Sequence, residues 1–264
     1  MAKKTKRGRP SKNQKPLQQE RRASVPNNNR LVTSLNYLPK KEVEQSRRDL
    51  LTIAHQNLNN TPWSPLTLSS WKKLRTVSPQ TALHCKRVRQ LSLSFLHEFL
   101  KEYAQEDLDP ETHNKIEMQM ENHAQTHDLG KLFMPELVNH PGKLTTKDFK
   151  KIKQHPILGA KLLKNEHPTA RKLALSHHER PDGKGYPYGV PPSDVFSKII
   201  TISDVYDAIT SKRAYDERKK LSPKKLQEEA LTQIKEGAGS QFDPFFALQF
   251  IKMVKEGRVK TPTN

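Results

Sequence analysis

Residues 177–187 read HHERPDGKGYP, and residues 127–131 read HDLGK. Both stretches set imidazole and carboxylate side chains beside glycines. Imidazole nitrogens and carboxylate oxygens are the ligands that iron, manganese and zinc take in proteins. The two stretches therefore indicate a metal site, and the pattern of apolar residues around them indicates the fold that holds it.

The apolar residues around these stretches recur with the period of an α-helix. Val88, Leu91, Phe95 and Phe99 follow one another at spacings of three and four residues, which is the stripe of a buried helix. No segment alternates apolar and polar residues as a strand does, so we predict an all-α fold. Further stripes are predicted at Phe149, Ile152 and His155, at Leu173, Ala174 and His177, at Ile199, Ile202, Tyr206 and Ile209, and at Leu226, Ala230 and Ile234.

Histidines and aspartates recur within these helices or at their ends. Residues of these types on facing helices can build a dinuclear site inside a helical bundle. The carboxylate of Asp128 has two oxygens and can bridge two cations, which together clamp a phosphodiester. Lys131 follows three residues later, on about the same side of a helix, where an ammonium can neutralise a phosphate oxygen. The candidates in chain order are His84, His127, Asp128, His155, His177, His178 and Asp204.

The same residues carry a resemblance to a known family. HDLGK matches the HD-x-G-K signature of the HD-superfamily phosphohydrolases, and residues 177–187 match the HHE-x-x-x-G-x-GYP motif of the HD-GYP family. Residues 204–211 resemble the terminal aspartate helix of that family, and residues 155–160 also fit. The chain thus resembles the HD-GYP family over about residues 78–252.

The resemblance implies a helical bundle of the HD superfamily with a metal site in its core. It implies metal-dependent hydrolysis of a cyclic dinucleotide, foremost cyclic di-GMP to pGpG and on to GMP, while some members act on cyclic GMP-AMP. The seven candidates carry over as ligands of divalent ions, with iron or manganese favoured and zinc, magnesium or nickel as alternatives. Asp128 and Lys131 carry over as catalytic residues, and Lys131, Arg213 and Tyr186 as substrate-binding residues.

Three positions depart from the family pattern. Members with three metals have a glutamate four residues before the first histidine, and here that residue is Gln80, so we predict two metals. Asp216 stands where a second basic residue would bind phosphate, which leaves open an adaptor or nucleotide-sensing module without turnover. His123 lies four residues before His127 on a polar segment, and we predict that it is exposed and outside the site.

The chain divides unevenly in charge and composition. Residues 1–50 carry 14 Lys and Arg against 4 Asp and Glu, and the whole chain has a formal net charge of +19. Residues 1–30 hold almost no large apolar side chains, so we predict a disordered tail that contacts nucleic acid or another polyanion. Residues 6–10 within it resemble an AT-hook. The predicted divisions are the tail 1–30, a short helical extension 31–77, the HD-GYP domain 78–255 and a C-terminal tail 256–264.

A single cysteine, Cys85, rules out an internal disulfide and a site of several cysteines. Such usage is typical of a reducing compartment, so we expect a cytoplasmic protein. No apolar run has the length of a membrane span, and the basic N-terminus lacks the apolar stretch of a secretory signal. The sequence leaves the oligomeric state open.

Overall fold

Helices form the regular structure of this protein. The computed structural model describes residues 40–55, 63–106, 108–211 and 221–260, which belong to one compact unit, residues 34–264. No β-strand occurs in these residues, and the predicted all-α class is confirmed. The helices are α1 (Lys40–His55), α2 (Pro65–Val77), α3 (Pro79–Tyr103), α4 (Pro110–Ala124), a 3₁₀ helix (Leu129–Phe133), α5 (Pro135–Val138), α6 (Thr146–Ile152), α7 (His155–Leu162), α8 (Pro168–Ser176), α9 (Val195–Thr210), α10 (Pro223–Glu236) and α11 (Pro244–Lys255).

Proline and polar caps mark where these helices begin. Proline suits the first turn of a helix because its fixed φ is helical and because an N–H group at that position would have no partner within the helix. Side-chain oxygens accept the first free N–H groups: Asp109 accepts from Thr112, and Ser222 accepts from Lys225. Thr145 and Asp148 form a capping box at the start of α6. The helices with proline in the first turn are α2, α3, α4, α5, α7, α8, α10 and α11.

The main core lies between α3, α9 and α11. Phe95 and Phe99 of α3 meet Phe246 and Phe250 of α11, with ring centroids 5.0 Å apart for Phe99 and Phe246 and 5.1 Å apart for Phe95 and Phe250. Leu50 of α1 is also fully buried there. The predicted stripes of α3, α9 and α10 all face this core or are buried beside it.

A second, smaller apolar cluster joins α2 to α3, α8 and the 3₁₀ helix. It contains Trp71 and Leu74 of α2, Cys85 of α3, Leu129 of the 3₁₀ helix and Ala174 of α8. Burial raises the pKa of the Cys85 thiol. The elements around this cluster are the ones that carry most of the candidate ligands.

One predicted stripe was wrong. Phe149 and Ile152 lie on α6, but none of the residues of this seven-residue helix is buried, and Phe149 is 51% exposed. The helix ends at Ile152 and the chain turns at residues 153–154, so His155 begins the next helix instead of continuing the same face.

Several predictions concern residues outside those described. They include the tail of residues 1–30 with its AT-hook-like segment, and Arg213 and Asp216. The domain boundaries stay a prediction. In the described part of the chain, no helix combines the length and the apolar character needed to cross a membrane.

Candidate metal centre

The structure brings all seven candidate ligands together. Potential ligand atoms of Asp128, His155, His177 and His178 all lie within 4.8 Å of one another, and so do those of His84, His127 and Asp204. The residues come from five places in the fold. His84 lies in α3, His127 and Asp128 in the turn after α4, His155 at the start of α7, His177 and His178 just after α8, and Asp204 in α9.

The carboxylate of Asp128 joins the two groups. Its Oδ1 lies 3.1 Å from Nε2 of His155 and 3.5 Å from Nε2 of His177. Its Oδ2 lies 3.7 Å from Nε2 of both His84 and His127. Because the two oxygens face different sets of histidines, this one side chain can contribute to two cation sites.

Backbone contacts fix the tautomers of three of the histidines. Nδ1 lies 2.8 Å from the carbonyl of Ala124 in His127 and 2.7 Å from the carbonyl of Ile152 in His155, and His177 makes the same kind of contact. A carbonyl only accepts, so each Nδ1 carries the hydrogen, and Nε2 of the neutral ring keeps its lone pair. The three lone pairs belong to the nitrogens at the centre of the cluster.

These lone pairs face one another without a hydrogen between them. Nε2 of His155 lies 3.1 Å from Nε2 of His177. Nε2 of His127 is buried and has no hydrogen-bond partner among the residues that the structure describes. Two lone pairs at this distance repel, and a buried orphan nitrogen is costly. A cation bound between His155 and His177 would remove the repulsion, and a second cation beside His127 would give its Nε2 a partner, so the donor set fits divalent metal ions.

Two residues that the sequence reasoning missed hold His84 in place. Asp207 Oδ2 accepts a hydrogen bond from Nδ1 of His84 at 2.7 Å, and Arg87 donates to both oxygens of Asp207 at 2.6 and 3.0 Å. Carboxylates of this kind set the tautomer and orientation of metal-binding histidines. One sequence signal was available, because Asp207 lies three residues after Asp204 and therefore on the same face of α9.

The protonation of the cluster follows from burial and close opposite charges. Burial lowers the pKa of His127 to about 4 and also lowers the pKa of His155 and His178, so these rings are neutral. Burial alone would lower the pKa of His84, but hydrogen bonds to Asp204 and Asp207 outweigh it and raise the pKa to about 9. Nε2 of His84 lies 2.9 Å from Asp204 Oδ1, and a proton or a metal ion must separate them.

Lys131 stays charged beside the cluster. Burial would lower the pKa of its ammonium, but the carboxylates of Asp128 and Asp204 outweigh that effect and raise it. It forms an ion pair with Asp128 from the 3₁₀ helix, and not from the α-helix that its spacing predicted. Gly130 allows this helix to approach α7, because a Cβ there would lie 2.0 Å from the carbonyl oxygen of His155.

The loop after His178 covers one side of the cluster. The ring of Tyr186 stacks on His178, with centroids 4.6 Å apart and planes at 28°. Glu179 is buried and accepts hydrogen bonds from the backbone N–H groups of Tyr188 and Val190 at 2.7 and 3.1 Å, which fixes the loop.

Two glycines of this loop, Gly183 and Gly185, are needed for different reasons. Gly183 has a positive φ of 71°, which glycine adopts without steric cost. Gly185 does not have a positive φ. Position 185 has no room for a larger residue, because a Cβ there would lie 2.6 Å from the backbone of residues 178–180.

His123 was predicted to be exposed, and this was wrong. The side chain is 7% exposed, its Nε2 lies 2.9 Å from Gln119 Oε1, and its ring stacks on His167 at a centroid distance of 5.2 Å. The polar segment before His127 is thus covered by a residue from a different part of the chain. His123 belongs to neither of the ligand groups around Asp128 and Asp204.

A cavity of about 1540 Å³ opens beside the centre. Among the described residues, its lining includes His84, Lys131 and Asp207 of the candidate centre, together with Gln80 and Phe149. Its volume exceeds the roughly 300–1,000 Å³ typical of a small-ligand pocket. The space beside the candidate ligands can therefore hold a ligand larger than a single nucleotide.

Comparison with known proteins places this geometry in a family. The family model described as "HD domain" matches residues 75–245. The chain is 35% identical to a cyclic di-GMP phosphodiesterase of Thermotoga maritima over 140 residues, which are 50% of this chain and 36% of that protein. It is 36% identical to a cyclic di-GMP phosphodiesterase of Pseudomonas aeruginosa over 134 residues, 48% of this chain and 31% of that protein.

A third relative has a different printed substrate. The chain is 30% identical to a 3′3′-cGAMP-specific phosphodiesterase of Vibrio cholerae over 132 residues, 47% of this chain and 24% of that protein. The chain thus spans about a third or less of the length of these curated relatives. The family model covers more than half of the chain, and residues 177–187 carry the GYP motif beside the assembled ligands. The chain belongs to the HD domain family, in its metal-dependent HD-GYP branch.

Proposed function

We propose that this protein hydrolyses a phosphodiester bond of a cyclic dinucleotide with the help of two divalent metal ions. The observation that carries the proposal is the position of Asp128, whose two oxygens face different groups of histidines. A carboxylate shared in this way is what a pair of metals a few ångströms apart requires.

The residues divide naturally between two ions. His84, His127 and Asp204 would hold one, His155, His177 and His178 the other, and Asp128 would contribute to both. The mixture of imidazole and carboxylate favours iron or manganese, with zinc, magnesium and nickel as alternatives. When bound, such ions polarise the phosphoryl oxygen and lower the pKa of a bound water.

The protein's own side chains would position and neutralise the substrate. Lys131 keeps its positive charge beside Asp128 and can balance the charge that develops on a phosphate oxygen. Asp207 and Arg87 hold the ring of His84 in one orientation. Tyr186 forms an aromatic surface against His178 at the edge of the centre, where a substrate ring can rest. Arg213 keeps its predicted role as a phosphate contact.

Cyclic di-GMP is the substrate that we favour, with pGpG as product and GMP as a further product. The names of relatives from Thermotoga maritima and Pseudomonas aeruginosa support this choice. A relative from Vibrio cholerae acts by its name on 3′3′-cGAMP, which is the alternative substrate. We further propose a cytoplasmic location, on the evidence of the single cysteine, and contact of residues 1–30 with nucleic acid or another polyanion.

Metal analysis coupled to a turnover assay tests the proposal. The purified protein should carry close to two divalent ions per chain and should cleave cyclic di-GMP, 3′,3′-cyclic GMP-AMP or both to linear products. Treatment with a chelator should stop turnover, and one of the candidate ions should restore it. Metal at the predicted amount without cleavage of any cyclic dinucleotide would favour the alternative, a nucleotide-sensing module without turnover.

A further inference from the structure

An exposed aromatic ring lines the cavity that opens beside the candidate metal centre. Phe149 is 51% exposed on a helix whose residues are all unburied, so it adds nothing to the core. It nevertheless lines the same cavity as His84 and Lys131. An apolar ring of this size at the wall of a site gains from covering a flat, apolar partner.

An ammonium group lies between this ring and the tyrosine of the centre. Lys153 Nζ is 5.4 Å from the centroid of Phe149 and 5.0 Å from the centroid of Tyr186. Tyr186 in turn stacks on the candidate ligand His178. A continuous row of side chains therefore leads from the metal centre to Phe149, with one positive charge in its middle.

Within the described part of the chain, the charge of Lys153 lacks an acidic partner. Lys153 forms no ion pair with any residue in the four ranges that the structure describes. Asp148, the nearest acid along the chain, accepts from the hydroxyl of Thr145 at 2.6 Å in the capping box. Contact with two rings also restricts the lysine side chain, which reduces the entropy lost when it binds an anion.

We infer that Lys153 binds the second phosphate of the cyclic dinucleotide while Phe149 stacks on one of its bases. This inference rests on the proposed function. A cyclic dinucleotide has two phosphates, and the one that is cleaved must lie at the metal centre. The rest of the ring must extend away from it, and the row from His178 to Phe149 offers a cation for the second phosphate and a flat surface for a base.

The test compares two substrates that share the chemistry but differ in size. One substrate is whichever of cyclic di-GMP and 3′,3′-cyclic GMP-AMP the metal-loaded protein cleaves faster. The other is bis(p-nitrophenyl) phosphate, a phosphodiester with neither a second phosphate nor a base. The variants are Lys153→Gln and Phe149→Leu. The matched control is Lys150→Gln, which removes an exposed charge from the helix that carries Phe149. Among the described residues, the ammonium over the two rings is that of Lys153 and not that of Lys150.

Lys153→Gln and Phe149→Leu should each raise KM for the cyclic dinucleotide by about tenfold with little change in kcat, because both contacts exist before and during the reaction. Hydrolysis of bis(p-nitrophenyl) phosphate should stay within about twofold of the unaltered protein, which also shows that the variants fold. Added salt should raise KM more steeply in the unaltered protein than in Lys153→Gln. Lys150→Gln should resemble the unaltered protein in every measurement.

Three results would overturn the inference. Equal KM values for Lys153→Gln and Lys150→Gln at low salt would show that the second phosphate does not meet Lys153, while cleavage by the unaltered protein would leave the proposed function intact. Parallel losses on both substrates would place Lys153 in the reaction itself or in the fold. Cleavage of bis(p-nitrophenyl) phosphate without cleavage of either cyclic dinucleotide would refute the proposed function, and the inference with it.

Discussion

The two ends of α3 lie in opposite environments. Near its start, His84 and Arg87 face carboxylates of Asp204 and Asp207, and the centre is filled with groups that carry charge or lone pairs. Near its end, Phe95 and Phe99 pack edge to face or stacked against phenylalanines of α11. One continuous helix thus connects the metal centre to the aromatic core.

The difference shows which part of the fold is complete without a ligand. The aromatic end needs no ligand, because the rings of Phe95, Phe99 and Tyr103 all pack against phenylalanine rings of α11. The polar end does need a ligand, because Nε2 of His155 and Nε2 of His177 face each other and Nε2 of His127 has no partner in the described part of the chain. Substitutions at the two ends should therefore separate effects on the chemistry from effects on the free energy of unfolding.

The largest effect should come from Asp128 at the polar end. Asp128→Ala removes the carboxylate whose two oxygens face the two histidine groups, so the chain should lose its metal and its turnover. The loss in kcat/KM should reach at least about a thousandfold, since metal stabilisation of a phosphoryl transition state is worth several kcal/mol. Activity on cyclic di-GMP, metal content by mass spectrometry and helicity by circular dichroism check it.

Asp128→Asn is the shape-matched companion to that variant. Its amide keeps the volume but loses the charge and one of the two acceptor oxygens, so it should behave like Asp128→Ala. A normal metal content with full activity in either variant would remove Asp128 from the centre. Helicity should persist in both, because neither change touches the aromatic core.

The next effect should come from the aromatic end. Phe99 is fully buried and contacts the rings of Tyr103, Phe245 and Phe246. Phe99→Ala should lower the free energy of unfolding by about 3–5 kcal/mol, which is the usual cost of emptying such a site. Denaturant unfolding measures this. The fraction that remains folded should keep the metal content and kcat of the unaltered protein, and a selective loss of metal would contradict the separation.

How far the sequence predicted this molecule depends on the kind of residue. The seven candidate ligands, which the structure brings together, could be identified because they belong to fixed local patterns in helices or at helix ends, and the stripe of α3 could be found from its period. Asp207 and Arg87 were missed because their role depends on His84, which is more than 100 residues from Asp207.

The errors have a similar physical origin. The prediction of a buried stripe at Phe149 was wrong because α6 ends at Ile152, and periodicity does not show where a short helix ends. The prediction that His123 is exposed was wrong because the residue that packs on its ring, His167, is distant in the sequence. Local patterns thus predicted the helices and the candidate ligands, while the burial and orientation of single side chains depended on contacts between helices.

A smaller effect on metal affinity should follow when the His84 ring is kept but loses the carboxylate that orients it. Asp207→Asn keeps the shape but removes the negative charge that accepts from His84 and Arg87. Metal affinity should fall by about 10–100-fold, the usual cost of losing such a supporting carboxylate. Competition with a chelating dye measures the affinity directly, without reliance on activity.

Asp194→Asn is the control for that variant. Asp194 caps the same helix, α9, by accepting from the N–H of Ser197, and asparagine caps helices about as well. Metal affinity should therefore stay unchanged in Asp194→Asn. A similar loss in both variants would mean that the helix as a whole is sensitive, and that Asp207 has no special part in orienting His84.

The smallest and most specific effect concerns Gln80. It lies one turn before His84 on α3 and lines the same cavity, yet its neutral amide is a poor ligand for a divalent cation. We expect Gln80→Glu to raise the metal content from close to two ions per chain towards three. The new carboxylate also lies in the first turn of a helix, where a negative charge is favoured by about 0.3–1 kcal/mol, so the fold should tolerate it.

Gln90→Glu is the matched control, since Gln90 lines the same cavity on the same helix, more than one turn beyond His84. It adds the same charge to the cavity without a neighbouring ligand, so its metal content should stay at two. Three ions in the unaltered protein, or an equal gain in both variants, would show that position 80 does not set the number of metals.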